Sequence, residues 1–477
     1  MLFNAPSFIF AYLPIVVGVY YLLGHFNLTR MAVAWTALAS LVFYSWDDPA
    51  RLLPIILVSI AFNFIIGRRL ARRRTDRRRL LTIGVGGNLI YLIVFKYIDF
   101  LAGTLAMVGL PAFQSGVTLP IGISFYTFTQ IAYLVDTYRH PRHAYGLGRY
   151  TLFVTFFPHL VAGPILHHNT IMPQLKWRET FRFDQERVTL GLAWFAAGMV
   201  KKVVLADNLA TAANLVFATS DAGHAVGVGQ AWLGAISYAL QLYFDFSGYS
   251  DMAIGLALMM GITFPLNFLS PYKATSLIEF WRRWHISLSR FLRDYLYIPL
   301  GGGRQGWWRR HRNLLVTMVL GGLWHGASWN FAVWGALHGA GLVVNHVAAG
   351  AAPARKGPLL RLAGLVCTQA FVVLAWVPFR AADMASTLTL WRSMTGGGPN
   401  YPVVDPLLPW LLVVGCGAVA LALPNTAEIF GRVGHGAAPG RLAWRPDWRW
   451  ALALGCGFGL SVGLSITHST AFLYFRF

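Results

Sequence analysis

Charge is what this chain has least of. Asp, Glu, Lys and Arg make up 12% of its 477 residues, about half the share found in a soluble domain, and that shortage excludes a water-soluble protein. Carboxylates are scarcer still, 18 against 39 Lys and Arg. Only three cysteines occur. Cys367, Cys416 and Cys456 all lie in apolar runs, where a free thiol behaves as a small hydrophobe, so no disulfide or metal framework is visible. No evident Ser/His/Asp set is present, and direct transfer is the simpler expectation than an acyl-serine enzyme. The first apolar run, about 8–23, lacks a preceding basic residue and a following small-residue cleavage site; a retained helix is expected there rather than a signal peptide. Internal repeats, low-complexity tracts and soluble-domain boundaries are also missing, and residues 1–477 are expected to form a single integral-membrane domain.

What fills the space is apolar: 56% of the residues are hydrophobic, gathered into many runs near the twenty-residue length of a spanning helix. The expected fold class is an all-α polytopic membrane protein. The net charge of +21 does not point to nucleic acid, because Arg and Lys cluster at the ends of apolar runs. That is the positive-inside pattern, with anionic membrane lipids as the counter-surface. Runs at about 8–23, 32–46 and 52–67 precede "RRLARRRTDRRR" (68–79), whose eight arginines mark a cytoplasmic loop. Counting spans from it places both termini outside. Another run follows at 80–98. Pro158, Gly163 and Pro164 break the run 150–165, which reads as a half-membrane or re-entrant segment, tolerated only against protein or a wet cavity. Further runs lie near 188–205, 229–246, 248–265, 359–378, 408–424 and 449–466, giving about eleven or twelve membrane segments, some partial.

Residues 272–312 differ, with nine Lys and Arg among aromatic residues. At helical spacing, "WRRWHISLSRFLRDYL" puts Trp281, Trp284, Leu288, Phe291, Leu292 and Tyr295 on one face and Arg283, Ser287, Arg290 and Asp294 on the other. One basic amphipathic helix at the cytoplasmic interface is expected. Just beyond it, "GGLWHGASWNFAVWGALHG" (321–339) carries two histidines without Lys, Arg, Asp or Glu. Ionisable groups at membrane depth usually face a bundle interior or a water-filled cavity, and an imidazole is tolerated there better than a carboxylate because it can stay neutral. Gly321, Gly322, Gly326 and Ala327 allow a neighbouring helix or a substrate chain to come close. On residues alone two readings of His325 stand open: a general base in a narrow tunnel, or a histidine satisfied by an interhelical hydrogen bond.

The pair "FWRRWHISLSRFLRDYLYIPLGG" and "GGLWHGASWNFAVWGALHG" resembles the signature of the membrane-bound O-acyltransferase family. The likeness is greatest to its bacterial branch of alginate O-acetyltransferase membrane subunits, and it extends through "LPIGISFYTFTQIAYLVDTYR", "FFPHLVAGPI", "YALQLYFDFSGYSDMAIGLALMMGI" and the final "FLYFRF". The resemblance implies a horseshoe of spanning helices around a thin floor, with a funnel on each side and a histidine at their junction. It makes His325 the family's invariant histidine and His285 its second conserved polar position. It further implies acetyl transfer from a cytoplasmic thioester, acetyl-coenzyme A or an acyl carrier protein, toward a secreted polysaccharide, with periplasmic O-acetyltransferase (SGNH-hydrolase-like) partners and no bound cofactor. Rival readings are the D-alanyl transferase of teichoic-acid decoration, a polysaccharide or lipid transporter, and a scaffold without chemistry.

Direct transfer needs a base and an oxyanion partner. His285, Trp324 and Asn330 are the candidates for the second role. Asp245 and Asp251 could orient a histidine or simply bond helices together, aided by Ser247 and Gly248; Asp136 reads as structural. Arg282, Arg283 and Arg304, the last in "GGGRQG", are candidate contacts to an acidic donor. His159, His167 and His168 flank the broken segment as tunnel-lining or capping groups. His338 follows His325 by thirteen residues, a spacing that matches no zinc pattern. Tyr474 is expected outside, either as an acyl shuttle or as an aromatic belt anchor.

Overall fold

A computed structural model of the chain describes residues 1–72, 75–111, 113–140, 145–304, 306–351, 357–399, 403–431, 442–467 and 472–473. The described residues are helical or irregular, without a strand. Among the described residues, seven helices are long and apolar enough to cross a membrane: Phe8–His25, Pro49–Arg72, Arg77–Ala106, Gln185–Asp221, Trp329–Ala348, Pro358–Arg380 and Trp448–Thr467. Leu407–Ala422 is a shorter apolar helix, and Thr29–Ser45 and Ile123–Arg139 hold 17 residues each. This is a multi-pass helical membrane protein.

The centre of the molecule departs from the expected segmentation. The runs at 229–246 and 248–265 are not two spans but one helix, Val228–Met259, 32 residues long and buried almost throughout. At 1.5 Å per residue it extends about 48 Å. Gly248 does not interrupt it; it is where the neighbouring helix crosses. A Cβ on Gly198 would come within 2.6 Å of the Gly248 carbonyl oxygen, and one on Gly255 within 2.5 Å of the Gly191 oxygen. Two Gly–Gly crossings thus press the helix Gln185–Asp221 against the central one, as small residues do between membrane helices. That neighbour also runs further than its apolar run, through a π-helical turn at Val200–Ala206.

The broken segment is as irregular as its prolines imply. Leu147–Thr155 is a helix of 9 residues, about 13 Å and too short for a hydrocarbon core of about 30 Å. Phe156 turns the chain, Phe157–Leu160 adds one helical turn, and the path beyond is non-helical and buried through Leu166.

The expected single amphipathic helix over 281–296 is interrupted. Leu277–Arg283 and Ile286–Leu292 are separate helices, divided at Trp284 and His285. His285 adopts φ 41°, ψ 55°, a left-handed conformation rare outside glycine, though His visits it more than most. The reason is backbone pairing with the preceding strand-like segment: Leu269 N–H donates to Arg283 O and Ile286 N–H to Asn267 O, both at 3.0 Å. The kink turns Ser287, expected on the polar outer face, into the core, where it is 4% exposed and donates to Asn267.

Candidate active site

The stretch 321–339 is a corner between two helices. Trp307–His325 ends at His325, Gly326 is extended, and Trp329–Ala351 returns alongside. The return is tight: a Cβ on Gly322 would sit 2.1 Å from the Phe331 carbonyl oxygen, so no larger residue fits. His325 and His338 therefore lie on consecutive helices rather than on one helix wheel. His325 is 5% exposed, with Trp324, Trp334 and Phe379 around it at ring-centroid distances of 4.9, 5.2 and 5.1 Å.

The kink brings His285 to the same place, with Trp324 between the two histidines: its ring lies 6.3 Å from His285 and 4.9 Å from His325. His285 is 1% exposed, and its Nδ1 lies 3.2 Å from Asn267 Oδ1. That oxygen also accepts from the Ser287 N–H at 3.2 Å. A backbone N–H can only donate, so the Asn267 atom facing it is the carbonyl oxygen, and His285 Nδ1 must carry the proton. The other nitrogen, Nε2, then holds a lone pair, and it is buried without a hydrogen-bond partner. In His338 the logic is reversed. Trp281 Nε1–H donates to its Nδ1 at 3.3 Å, which leaves Nε2–H as a buried donor, also without a partner. The indole N–H groups of Trp324 and Trp334 are buried and unpartnered too. Buried polar atoms are nearly always bonded, and several of those beside His285 and His338 have no partner within the protein.

The other candidates separate into those the fold gathers here and those it employs elsewhere. Asn330 donates to Ala381 O at 2.9 Å, tying the corner to the end of the helix Pro358–Arg380. Asp245 is taken by Lys202 Nζ at 2.9 Å and by the Leu473 N–H at 3.0 Å. Asp251 is taken by Lys201 at 2.6 Å and by the Thr426 hydroxyl at 2.6 Å. Both carboxylates bond helices together, and among the described residues their hydrogen-bond partners include no histidine. Asp136 lies 3.6 Å from His168 and 3.9 Å from His167, and His159 meets Phe153 O at 2.9 Å; these groups brace the broken segment. Arg283 pairs with Glu279 at 2.6 Å. Burial pushes the Glu279 carboxyl up, but hydrogen bonds from Thr275 and the Arg283 guanidinium outweigh it and hold it below the usual range. Arg282 and Arg304 are exposed. Tyr474 lies outside the described residues. Its neighbour Phe472 is buried, stacked at 4.5 Å on Tyr249 and 5.8 Å from Phe246, whose ring lies 4.7 Å from His285.

A cavity of about 310 Å³ opens beside the site among Trp281, Leu292, Arg293, Tyr297, Arg310 and His346. Trp281 forms part of its wall and also holds His338. Two residues absent from the expectations complete the arrangement. Lys96 and Tyr97 reach the last carbonyls of the helix that ends in His325. The only sequence signal was one lysine inside the apolar "YLIVFKYIDF".

Residues 27–351, which include both histidines, match the sequence profile of MBOAT, the membrane-bound O-acyltransferase family. The chain belongs to that family. Among curated relatives of this O-acyltransferase, the peptidoglycan O-acetyltransferase of Helicobacter pylori is 40% identical over 425 residues, covering 83% of this chain and 80% of that protein. The probable alginate O-acetylase AlgI of Pseudomonas aeruginosa is 43% identical over 408 residues, covering 83% and 75%. A teichoic acid D-alanyltransferase of Streptococcus thermophilus is 28% identical over 239 residues, covering 47% and 56%. A transporter or scaffold without chemistry is thereby set aside.

Proposed function

We propose that this membrane O-acyltransferase moves acetyl groups from a cytoplasmic thioester, acetyl-coenzyme A or an acyl carrier protein, across the bacterial inner membrane for O-acetylation of a secreted polysaccharide. One observation carries the reading: two buried histidines meet across Trp324, and the polar atoms around them are left open. The attacking hydroxyl gives its proton to neutral His325 as its oxygen bonds the thioester carbonyl; the carbon–sulfur bond then breaks, and the imidazolium returns the proton to the leaving thiolate. A positioned base is worth about 10²–10⁴-fold. His285, with Nδ1–H committed to Asn267, offers only a lone pair at Nε2. It suits proton acceptance and does not suit the oxyanion, for which the N–H groups of Trp324 and Trp334 are open.

The basic side of the molecule supports entry of an acidic donor there. Arg293 and Arg310 line the 310 Å³ cavity, and the arginines at 68–79 support a cytoplasmic assignment for the basic side. Both termini then lie in the periplasm, where SGNH-hydrolase-like partners would receive the group. The test compares acetyl-coenzyme A with a D-alanyl carrier protein as donors to the full-length protein in nanodiscs, with His325→Ala in parallel. Acetyl transfer lost in His325→Ala supports the reading. Transfer of D-alanine alone would overturn it in favour of the teichoic-acid activity of the more distant relative. Tyr474→Phe separates direct transfer, which it leaves intact, from a relay through the tyrosine hydroxyl.

A further inference from the structure

A membrane-embedded lysine holds the end of the helix that carries His325. An α-helix finishes with four carbonyls lacking an intrahelical partner, and its C-terminus bears partial negative charge. At the end of Trp307–His325, Leu323 O accepts from Tyr97 Oη at 2.7 Å, Trp324 O from Lys96 Nζ at 2.7 Å, and His325 O from the same Nζ at 3.0 Å. The third proton of the ammonium points to Ser124 Oγ at 3.1 Å. An ammonium has three N–H bonds, and these acceptors use all three. None of them is a carboxylate. A lysine inside a spanning helix is costly and usually marks function. This one sits in a π-helical turn, Ile93–Tyr97, within the span Arg77–Ala106, and such turns recur at functional sites.

We infer that Lys96, seconded by Tyr97, is a positioning residue for acyl transfer: it fixes the backbone of Trp324 and His325, and so sets where the base and the adjacent indole N–H stand relative to the reacting carbonyl. The inference rests on His325 being the base. The chain must leave its helix at His325 to make the corner, so the ring hangs from a helix end, the part of a helix most prone to fray. Three hydrogen bonds from another helix, more than 220 residues away in sequence, remove that freedom. These contacts are made to the backbone carbonyls and not to the imidazole. Misplacement of a reacting group by about 1 Å can cost about 10²-fold in rate.

The test uses full-length protein in nanodiscs, with acetyl-coenzyme A as donor and coenzyme A release as readout, for Lys96→Met, Lys96→Arg, Tyr97→Phe and His325→Ala. Lys96→Met is expected to lower kcat about 10²-fold with KM for acetyl-coenzyme A unchanged. Lys96→Arg, which keeps the charge and the donors, is expected to restore most of the loss. Tyr97→Phe, one hydrogen bond weaker, is expected to lower kcat about threefold to tenfold. If Lys96→Met does not insert, Tyr97→Phe and Lys96→Arg carry the test. Wild-type kcat in Lys96→Met or Tyr97→Phe beside an inactive His325→Ala would overturn the inference alone. A rise in KM with kcat intact would also overturn it, since Lys96 would then serve donor binding. Full turnover by His325→Ala would show instead that the base is misassigned.

Discussion

Two buried polar clusters flank the central helix, and they are built on opposite rules. On one side Lys201 and Lys202 meet Asp251 and Asp245, and hydrogen bonds from Thr426 and Leu473 complete the carboxylates. On the other, His285, His338, Trp324 and Trp334 keep polar atoms turned inward without partners. Charges in a low-dielectric interior must be neutralised by neighbours, and once neutralised they are inert structure. Neutral rings can be left unsatisfied at smaller cost, and an unsatisfied ring can still bind something. The lesson is that burial and polarity alone do not distinguish a strut from a reaction centre. Here the two clusters differ in whether their named side chains find partners within the protein.

The comparison breaks most visibly at His325. His325→Ala is expected to lower acyl transfer by about 10²–10⁴-fold while melting temperature in detergent stays at the wild-type value; a matching loss of fold would erase the contrast. The ion-pair side should answer the other way. Lys201→Met leaves Asp251 buried without its cation and is expected to cost about 3–5 kcal/mol of stability, seen as a large drop in melting temperature. The double variant Lys201→Met/Asp251→Leu should recover most of that, because a well-packed apolar pair often replaces a buried salt bridge without loss. Asn267→Leu sharpens the histidine side. It frees the His285 tautomer and should lower turnover about tenfold more than any change in folded yield accounts for.

The smallest effect concerns an exposed cap. Asp383 accepts from the Ser386 N–H and hydroxyl, both at 2.8 Å, and these bonds hold its carboxyl below the usual carboxylate range. A depressed carboxylate contributes stability that is present above its unfolded pKa, about 3.9, and lost as pH falls through the lower folded value. Asp383→Ala should therefore lower the melting temperature by about a degree equally at pH 6 and pH 8, and leave transfer untouched.

Much of this could be read in the residues. Apolar runs located the outer spans because lipid demands them, and the two signature stretches singled out His285 and His325. The break between 283 and 286 was invisible, since amphipathic spacing continues across it and a left-handed histidine leaves no compositional trace. Gly248 looked like a boundary; only the facing Gly198 reveals it as a crossing point. Lys201 and Lys202 lie inside the run 188–205 and gave no signal, because their partners lie fifty and forty-three residues onward on a helix whose aspartates seemed available to histidines. Lys96 was lost among residues of its own span, because its acceptors are backbone carbonyls, which every residue has.

The central helix, sheathed on nearly every side, has a consequence for how the protein is made. A segment entering the bilayer meets lipid before it meets its eventual neighbours, and an aspartate at mid-depth costs about 2.5–3.5 kcal/mol at that moment. Val228–Met259 carries two, Asp245 and Asp251, and its counter-ions sit on the preceding segment, joined to it by the short loop at 222–227. Insertion of the two as one hairpin, with ammonium and carboxylate already matched, removes that barrier. Ribosomal pausing or truncation inside the loop would strand a half-made pair in the translocon.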